Sequence, residues 1–431
     1  MYSIGIDIGT TSICAALMSP QTGKIICTAT HQNDSFIETP NAWEKIQDVS
    51  VIEEKVFEVI DNVLLNKKDD GEIISIGISN QMHGILYIDA DGNAVSPLYI
   101  WQDERGNLPY KDGKTYAQHL GSFAGYGLVT DFYNRVNSLV PEIAVCVCTI
   151  GDYIAMKLTG TKKPLMHISN AASFGCFDIN ENKFTIDNGM LPEVTDEFKA
   201  VGEWNGAKVS VAVGDNQASF IGSVGVDAPL LNVGTGSQIS YLNYKPVVGE
   251  NIESRPYDGK RFLVVGSSLC GGRAFSMLER FFASVVEMAT GEKCPLLYKQ
   301  IDKMLETKTQ TDMVADSRFC GTRSDPTIRG AISNISQDNF TAGDLSVAML
   351  YAIANELHSM YTGGKKENIV CSGNGIRKNA TLQKVASEVF SAEIKIPRYE
   401  EEAAYGAALT SLVAVGKFEN IDEAQKLIIY R

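Results

Sequence analysis

Ile4-Gly-Ile-Asp-Ile-Gly-Thr-Thr-Ser12 is an apolar run that breaks at Gly9-Thr-Thr and resumes as Ile13-Cys-Ala-Ala-Leu-Met18. Two strands joined by a turn of small residues have this pattern. A second turn, Gln21-Thr-Gly-Lys24, leads into a third strand at Ile25-Ile-Cys-Thr. About half a chain later, Leu230-Leu-Asn-Val-Gly-Thr-Gly-Ser237 repeats the design and continues as Gln238-Ile-Ser-Tyr-Leu242. Two related domains in tandem give such a spacing. The 431 residues suit two or three domains.

Each half then alternates helices and strands. Val49 to Leu65 carries a helical stripe at Ile52, Val56, Ile60 and Leu64, and Ile73 to Ser79 reads as a buried strand. In the second half, helices are expected at Leu345 to Tyr361, Ala380 to Phe390 and Glu401 to Val415. Strands are expected at Asn368 to Cys371 and Glu393 to Ile396. This is an α/β protein with two sheet-centred domains, the boundary falling near Ser223 to Pro229.

Composition narrows the class. Hydrophobic residues at 44% and charged residues at 21% suit a globular chain with substantial cores. There is no membrane-length apolar run and no basic stretch followed by a cleavable apolar one, so the expected compartment is the cytoplasm and no membrane partner is expected. A net charge of −14 argues against nucleic acid, whose phosphates are met by surplus Lys and Arg. The nine Cys are scattered and read as reduced thiols, and the five His include no pair at metal-ligand spacing.

The Gly9-Thr-Thr and Gly234-Thr-Gly turns let backbone N–H groups and hydroxyls approach phosphate oxygens, because no bulky Cβ intervenes. Singly, each reads more readily as an ordinary hairpin turn; the matched pair, one per domain, reverses that and suits a triphosphate. Asp7 aligns with Asn232, so only the first half has a carboxylate there, where magnesium would need a hard oxygen. A buried Asp bracing its hairpin is the other reading. Val211-Ala-Val-Gly-Asp215-Asn-Gln-Ala-Ser219 is an apolar strand ending in Gly-Asp. At that sheet end Asp215 suits a base for a hydroxyl proton, or a helix N-cap. Ser79-Asn-Gln-Met-His83-Gly84 and Trp101-Gln-Asp103-Glu-Arg105 gather polar and aromatic groups at strand ends, as a sugar site does. Core packing of a lone His or Trp remains open for each. No P-loop pattern is present, and Ile239 and Lys378 replace the third glycine of a dinucleotide fingerprint.

The two Gly-Thr loops, Gln81-Met-His-Gly84, Trp101-x-Asp103-x-Arg105, Gly214-Asp-Asn-Gln217 and Ser372-Gly-Asn-Gly375 stand in the order seen in the FGGY carbohydrate kinases, which the chain resembles over nearly its whole length. The resemblance implies two actin/Hsp70/hexokinase-like (ribonuclease H-like) domains with a cleft between them. Residues 1–224 would hold the sugar site, the first phosphate loop and the catalytic Asp; 225–431 would hold the second phosphate loop and the adenosine pocket. Position by position, it implies Asp215 as general base and Asp7 as the carboxylate near Mg2+. Gln81, Met82, His83, Trp101, Asp103 and Asn216 match sugar contacts. Thr10, Thr11, Gly234 and Thr235 match the ATP phosphate loops, and Gly272, Gly373, Gly375 and Asn379 the adenosine pocket. The stretch from Asn107 to Val136 is trimmed relative to the family, and the usual Lys-x-x-Trp near Phe132 to Pro141 is missing.

The implied reaction is ATP-dependent phosphoryl transfer to a sugar, with the primary hydroxyl of a seven-carbon ketose as acceptor and pentuloses or polyols as alternatives. A non-catalytic ATP-dependent switch on the same fold would need neither Asp215 nor the sugar clusters. Oligomeric state stays open, a homodimer being one option.

Overall fold

The computed structural model describes residues 1–67 and 69–431. By packing, the chain forms two units. The first comprises Met1–Gly225, Arg255–Arg261 and Glu401–Ile429; the second comprises Val226–Ser254, Phe262–Glu400 and Tyr430–Arg431. A cut into 1–224 and 225–431 divides the chain, whereas these packed units also exchange the short segment after Ser254 and the segment after Glu400.

In the first unit, β1 (Tyr2–Ile8) pairs antiparallel with β2 (Ser12–Met18), and β2 antiparallel with β3 (Ile25–Gln32). Helix α1 (Val49–Leu65) starts where Asp48 Oδ1 accepts from the N–H groups of Ser50 and Val51 at 2.8 and 3.4 Å, a side-chain N-cap. It buries Ile52, Val56, Val59, Ile60 and Val63 along one stripe. The chain returns as β4 (Ile73–Asn80), parallel to β1. Strands β5 (Ala200–Trp204), β6 (Ala207–Ser210) and the short β7 (Val213–Gly214) follow. β6 and β7 run parallel to β4, and α2 (Asp215–Ser223) leaves β7 directly. The sheet order is β5-β6-β4-β1-β2-β3, with β7 beside β4.

The second unit repeats this plan. β8 (Leu230–Val233) pairs antiparallel with β9 (Ser237–Asn243), and β9 antiparallel with β10 (Phe262–Ser268). Helices α3 (Gly271–Thr290) and α4 (Ala342–Ser359) precede β11 (Asn368–Ser372), which is parallel to β8. Helix α5 (Ala380–Phe390) then leads to β12 (Glu393–Lys395), parallel to β11. An edge strand at Ile252–Pro256 completes six strands. The strands and helices expected from sequence are all present, most within a residue or two of their predicted ends.

The helix α6 (Glu402–Ala414) belongs to the first unit, where Ala404, Tyr405, Ala407, Ala408, Leu409 and Leu412 are buried. It presses against β1 and β4 at two glycines. A Cβ on Gly5 would lie 1.8 Å from the Ala404 carbonyl oxygen, and one on Gly77 would lie 1.7 Å from that of Ala407. Backbone contact of this closeness admits only glycine.

Candidate active site

The register of β1, β4 and β7 brings two carboxylates to one end of the first sheet. Asp7 stands opposite Ser79, and Gly214, the residue before Asp215, stands opposite Asn80. Ser79 Oγ donates to Asp7 Oδ1 at 2.8 Å. Burial pushes the Asp7 carboxyl up to about 6; the Ser79 bond opposes that rise and the charge of Asp215 adds to it. Burial also raises the Asp215 carboxyl, while the Arg255 charge and the Asn216 amide hold the rise in check. Asn216 Nδ2 donates to Asp215 Oδ1 at 3.0 Å. Gly214 is fixed by its own N–H, which donates to buried Ser169 Oγ at 3.0 Å.

The Gly9 turn is braced from within the unit. Asn33 N donates to Thr11 O at 2.9 Å, and Asn33 Nδ2 to Gly9 O at 2.8 Å. Thr10 Oγ1 donates to Gln81 Oε1 and receives the Trp101 indole N–H, each at 2.9 Å. Gln81 Nε2 donates to Gln47 Oε1 at 2.8 Å, and Gln47 Nε2 returns to Thr10 O at 2.9 Å. The predicted Thr10, Gln81 and Trp101 thus share one network that holds the loop in shape, with Thr11 exposed beside it. The Trp101 ring is 47% exposed, which leaves an aromatic face for a ligand.

Met82 lies beside Asn216, the neighbour of Asp215, and His83 follows Met82 in sequence. Buried Met82 touches Asn216, whose Nδ2 lies 3.7 Å from its sulfur, and Arg255, whose Nη1 lies 3.6 Å away. His83 has a left-handed backbone, φ +73°. Its N–H donates to Ser173 Oγ at 3.1 Å and its ring Nδ1 lies 2.8 Å from the Ser173 carbonyl, so Nδ1 carries the proton. The ring stacks on Tyr126 with centroids 4.3 Å apart, so the trimmed stretch still supplies a wall to this side.

Asp103 lies deeper than a sugar contact predicts. It is 1% exposed, and Oδ1 accepts from Arg105 Nε at 2.6 Å and from Arg105 N at 3.1 Å. Oδ2 accepts from Arg105 Nη2 at 3.0 Å and from Lys45 N at 2.9 Å. Arg105 is equally buried, bonds Asn134 Oδ1 at 2.6 Å and faces the Tyr99 ring at 4.4 Å. The pair ties the segment just after Trp101 to Lys45 and Asn134.

In the second unit a cavity of about 840 Å³, sufficient for a nucleotide, is lined by Gly234, Thr235, Gly272, Gly375 and Asn379, all predicted, together with Phe275 and Tyr298. The Phe275 and Tyr298 rings lie nearly parallel, with centroids 6.3 Å apart. Gly373 stands just behind, with φ +84°; a Cβ there would lie 2.7 Å from Val233 O. Asn379 Oδ1 caps α5 by accepting from Leu382 N at 2.8 Å.

The donor set fits a magnesium ion that arrives with a nucleotide. Asp7 offers a hard oxygen at the sheet end, and a cation there would offset the burial that favours its protonated form. Among the described residues no three His, Cys, Asp or Glu are grouped to hold a metal, so phosphate oxygens and water would supply the other ligands.

Models of the FGGY family of carbohydrate kinases match the chain in two parts, the N-terminal domain over residues 2–222 and the C-terminal domain over residues 230–415. The chain belongs to this family and is an ATP-dependent sugar kinase. It is 28% identical to a sedoheptulokinase of Mus musculus, spanning 95% of this chain and 97% of the relative, and 25% identical to that of Homo sapiens, spanning the same shares. A glycerol kinase of Nitrosomonas eutropha is 25% identical over 97% of this chain and 90% of its own. The solved gluconate kinase of Lactobacillus acidophilus superposes with a TM-score of 0.83 at 19% identity, covering 100% of this chain and 92% of that one. That likeness shows the fold, actin/hexokinase-like α/β in two units.

Sequence reasoning missed Gln47, Arg255, Ser169 and Tyr126. Gln47 lies in a two-residue strand and Arg255 in an edge strand without a motif, so neither carries a local signal. Ser169 and Tyr126 act through backbone and ring contacts that no spacing announces.

Proposed function

We propose that the chain phosphorylates sedoheptulose, a seven-carbon ketose, at its terminal primary hydroxyl. The likeness to two sedoheptulokinases across 95% of the chain supports the substrate, and the pairing of Asp7 with Asp215 at one sheet end supports the chemistry. Asp215 takes the hydroxyl proton on Oδ2, since Oδ1 is held by Asn216. Burial raises its proton affinity above that of a free carboxylate, and Arg255 keeps the ionised form favourable enough to act as a base. His83, Trp101 and Asn216 orient the sugar, with Met82 packed behind. Asp103 serves through Arg105, keeping the Trp101 segment in place. The Gly9 turn of the first unit and the Gly234 turn of the second are each small-residue loops suited to phosphate oxygens, and the cavity beside Gly272 and Asn379 takes the adenosine. Asp7 would hold magnesium arriving with the nucleotide, and the ion would supply positive charge that stabilises phosphoryl transfer. The reaction belongs to the cytoplasm, where ATP is at hand; among the described residues no helix is long and apolar enough to cross a membrane.

A coupled ADP-release assay over sedoheptulose, xylulose, ribulose and glycerol tests the substrate. Sedoheptulose should give the highest kcat/KM. A clear preference for xylulose would overturn the heptulose reading and leave the kinase standing.

A further inference from the structure

Two of the nine cysteines meet beside the nucleotide cavity. Buried Cys270 is the residue before α3, and half-buried Cys320 follows the strand Val314–Asp316. Their sulfurs are 3.5 Å apart, and Arg273 Nη1 lies 3.7 Å from the Cys320 sulfur. Arg273 itself lines the cavity. We propose that Cys270 and Cys320 form a peroxide-responsive dithiol whose closure loosens the nucleotide cavity of the second unit. The inference rests on that cavity being the ATP site.

The two thiols are unequal in a useful way. The Arg273 guanidinium beside Cys320 holds its thiol below the usual range, favouring thiolate. Burial pushes the Cys270 thiol up to about 11. Cys320 is therefore the first to react with a hydroperoxide. Its thiolate attacks one peroxide oxygen, the O–O bond breaks, and a sulfenic acid forms as hydroxide leaves. Cys270 then attacks the sulfenyl sulfur, the S–S bond forms, and the oxygen leaves as water. Two thiols are oxidised by two electrons and one peroxide is reduced to two waters.

Closure reaches the cavity because the first turn of α3 lies directly on the Gly234 loop. Gly272 N donates to Gly234 O, and Arg273 N to Thr235 O, each at 2.9 Å. A Cβ on Gly271 would lie 2.5 Å from Ser237 Cβ, so no slack exists between turn and loop. A disulfide needs its sulfurs at about 2.0 Å, closer than they now stand, and a close-packed interior passes such a shift to its neighbours. Arg273 also loses its thiolate partner.

The test uses the full chain, reduced, then treated with hydrogen peroxide, then re-reduced with dithiothreitol. Peptide mapping without reductant should find Cys270 linked to Cys320, and the KM for ATP and the Kd of a non-hydrolysable analogue should rise several-fold and recover on reduction. Cys320→Ser and Cys270→Ser should bind the analogue normally and lose the response. Absence of the cross-link, a cross-link with unchanged affinity, or a response persisting in Cys320→Ser would each overturn the proposal. A reduced chain that binds no ATP analogue would instead remove the nucleotide reading, and this switch with it; that result is seen before any peroxide is added.

Discussion

Asp7 and Asn232 hold the same place in two copies of one strand arrangement. Asp7 lies opposite Ser79 on the parallel neighbour of its strand, and Asn232 lies opposite Ser372 on the parallel neighbour of its own. Ser79 donates to Asp7 at 2.8 Å, and Asn232 donates to Ser372 Oγ at 3.0 Å. The serine partner is common to both, so bracing a hairpin does not require a charge. The carboxylate in the first copy is thus not needed for that contact, which leaves it for the metal role proposed above, and burial makes it costly to keep ionised.

Asp7→Asn should accordingly separate stability from activity. The folded chain holds the Asp7 carboxyl at about 6 against an ordinary 3.8. Its contribution to stability is thus fully present below pH 3.8 and lost as pH rises through 6. At pH 8 the variant should equal or exceed the parent in stability, by on the order of 1–3 kcal/mol, and the difference should vanish near pH 4. Its kcat/KM should fall, with partial recovery at high magnesium. A melting transition that collapses at pH 8 would return Asp7 to a purely structural role.

Asp215→Asn should lower kcat by on the order of 10²–10⁴. The nucleotide cavity of the second unit should still bind ATP normally, as calorimetry would show. The amide keeps the hydrogen bonding capacity of the position and loses only the basic oxygen, so turnover near the parent's would dismiss this residue as the base.

Asp103→Ala removes two of the four side-chain acceptors of buried Arg105, leaving Asn134 Oδ1 at 2.6 Å and Glu44 Oε1 at 3.2 Å. Removing one partner of a buried pair typically costs about 3–5 kcal/mol, and the Glu44 carboxylate that still meets Arg105 should keep the loss toward the lower end of that range. Denaturant unfolding should register a loss of that order. A stable variant with only a raised KM for sugar would show instead that Asp103 meets the substrate directly.

His167 should stay neutral throughout the working range. Burial pushes its ring down to about 3 from 6.5, and Nδ1 lies 2.9 Å from Ser169 Oγ, the acceptor of the Gly214 N–H. Stability from the neutral ring is present above pH 6.5 and lost as pH falls toward 3. Nuclear magnetic resonance of labelled histidines should find that the His167 ring does not titrate between pH 8 and 5, and a His167 ring that titrates there would count against this arrangement. Ser169→Ala should orphan the Gly214 N–H at a cost of about 1–3 kcal/mol and lower kcat more than it raises KM.

Much of this was readable because it is local. Gly-Thr turns between apolar strands, the helical stripe from Ile52 to Leu64 and the Gly214-Asp215 step each declare themselves locally. The family match and the polar cluster at a strand end put Asp103 among the sugar contacts, and a sequence does not show that its carboxylate turns to Arg105. Gln47 and Arg255 depend on partners far along the chain, and a side chain's reach across the fold leaves no periodic trace. The helix at Glu402–Ala414 was legible as a helix, yet its seat was not. Gly5 and Gly77, glycines inside otherwise apolar strands, were the available hint that another backbone comes close there.

That seat has a consequence during synthesis. The ribosome delivers β1 and β4 first and the helix that covers them only after the whole second unit has been made. At about 5–20 residues per second, the glycine face of the first sheet waits a few tens of seconds for its lid. Through that interval the nascent chain displays an uncovered strip of β1 and β4 backed by a finished hairpin, a surface suited to a holding chaperone. A chain stalled or cleaved before residue 402 would keep that strip open for good, which makes loss of the last few dozen residues a defect of the first unit.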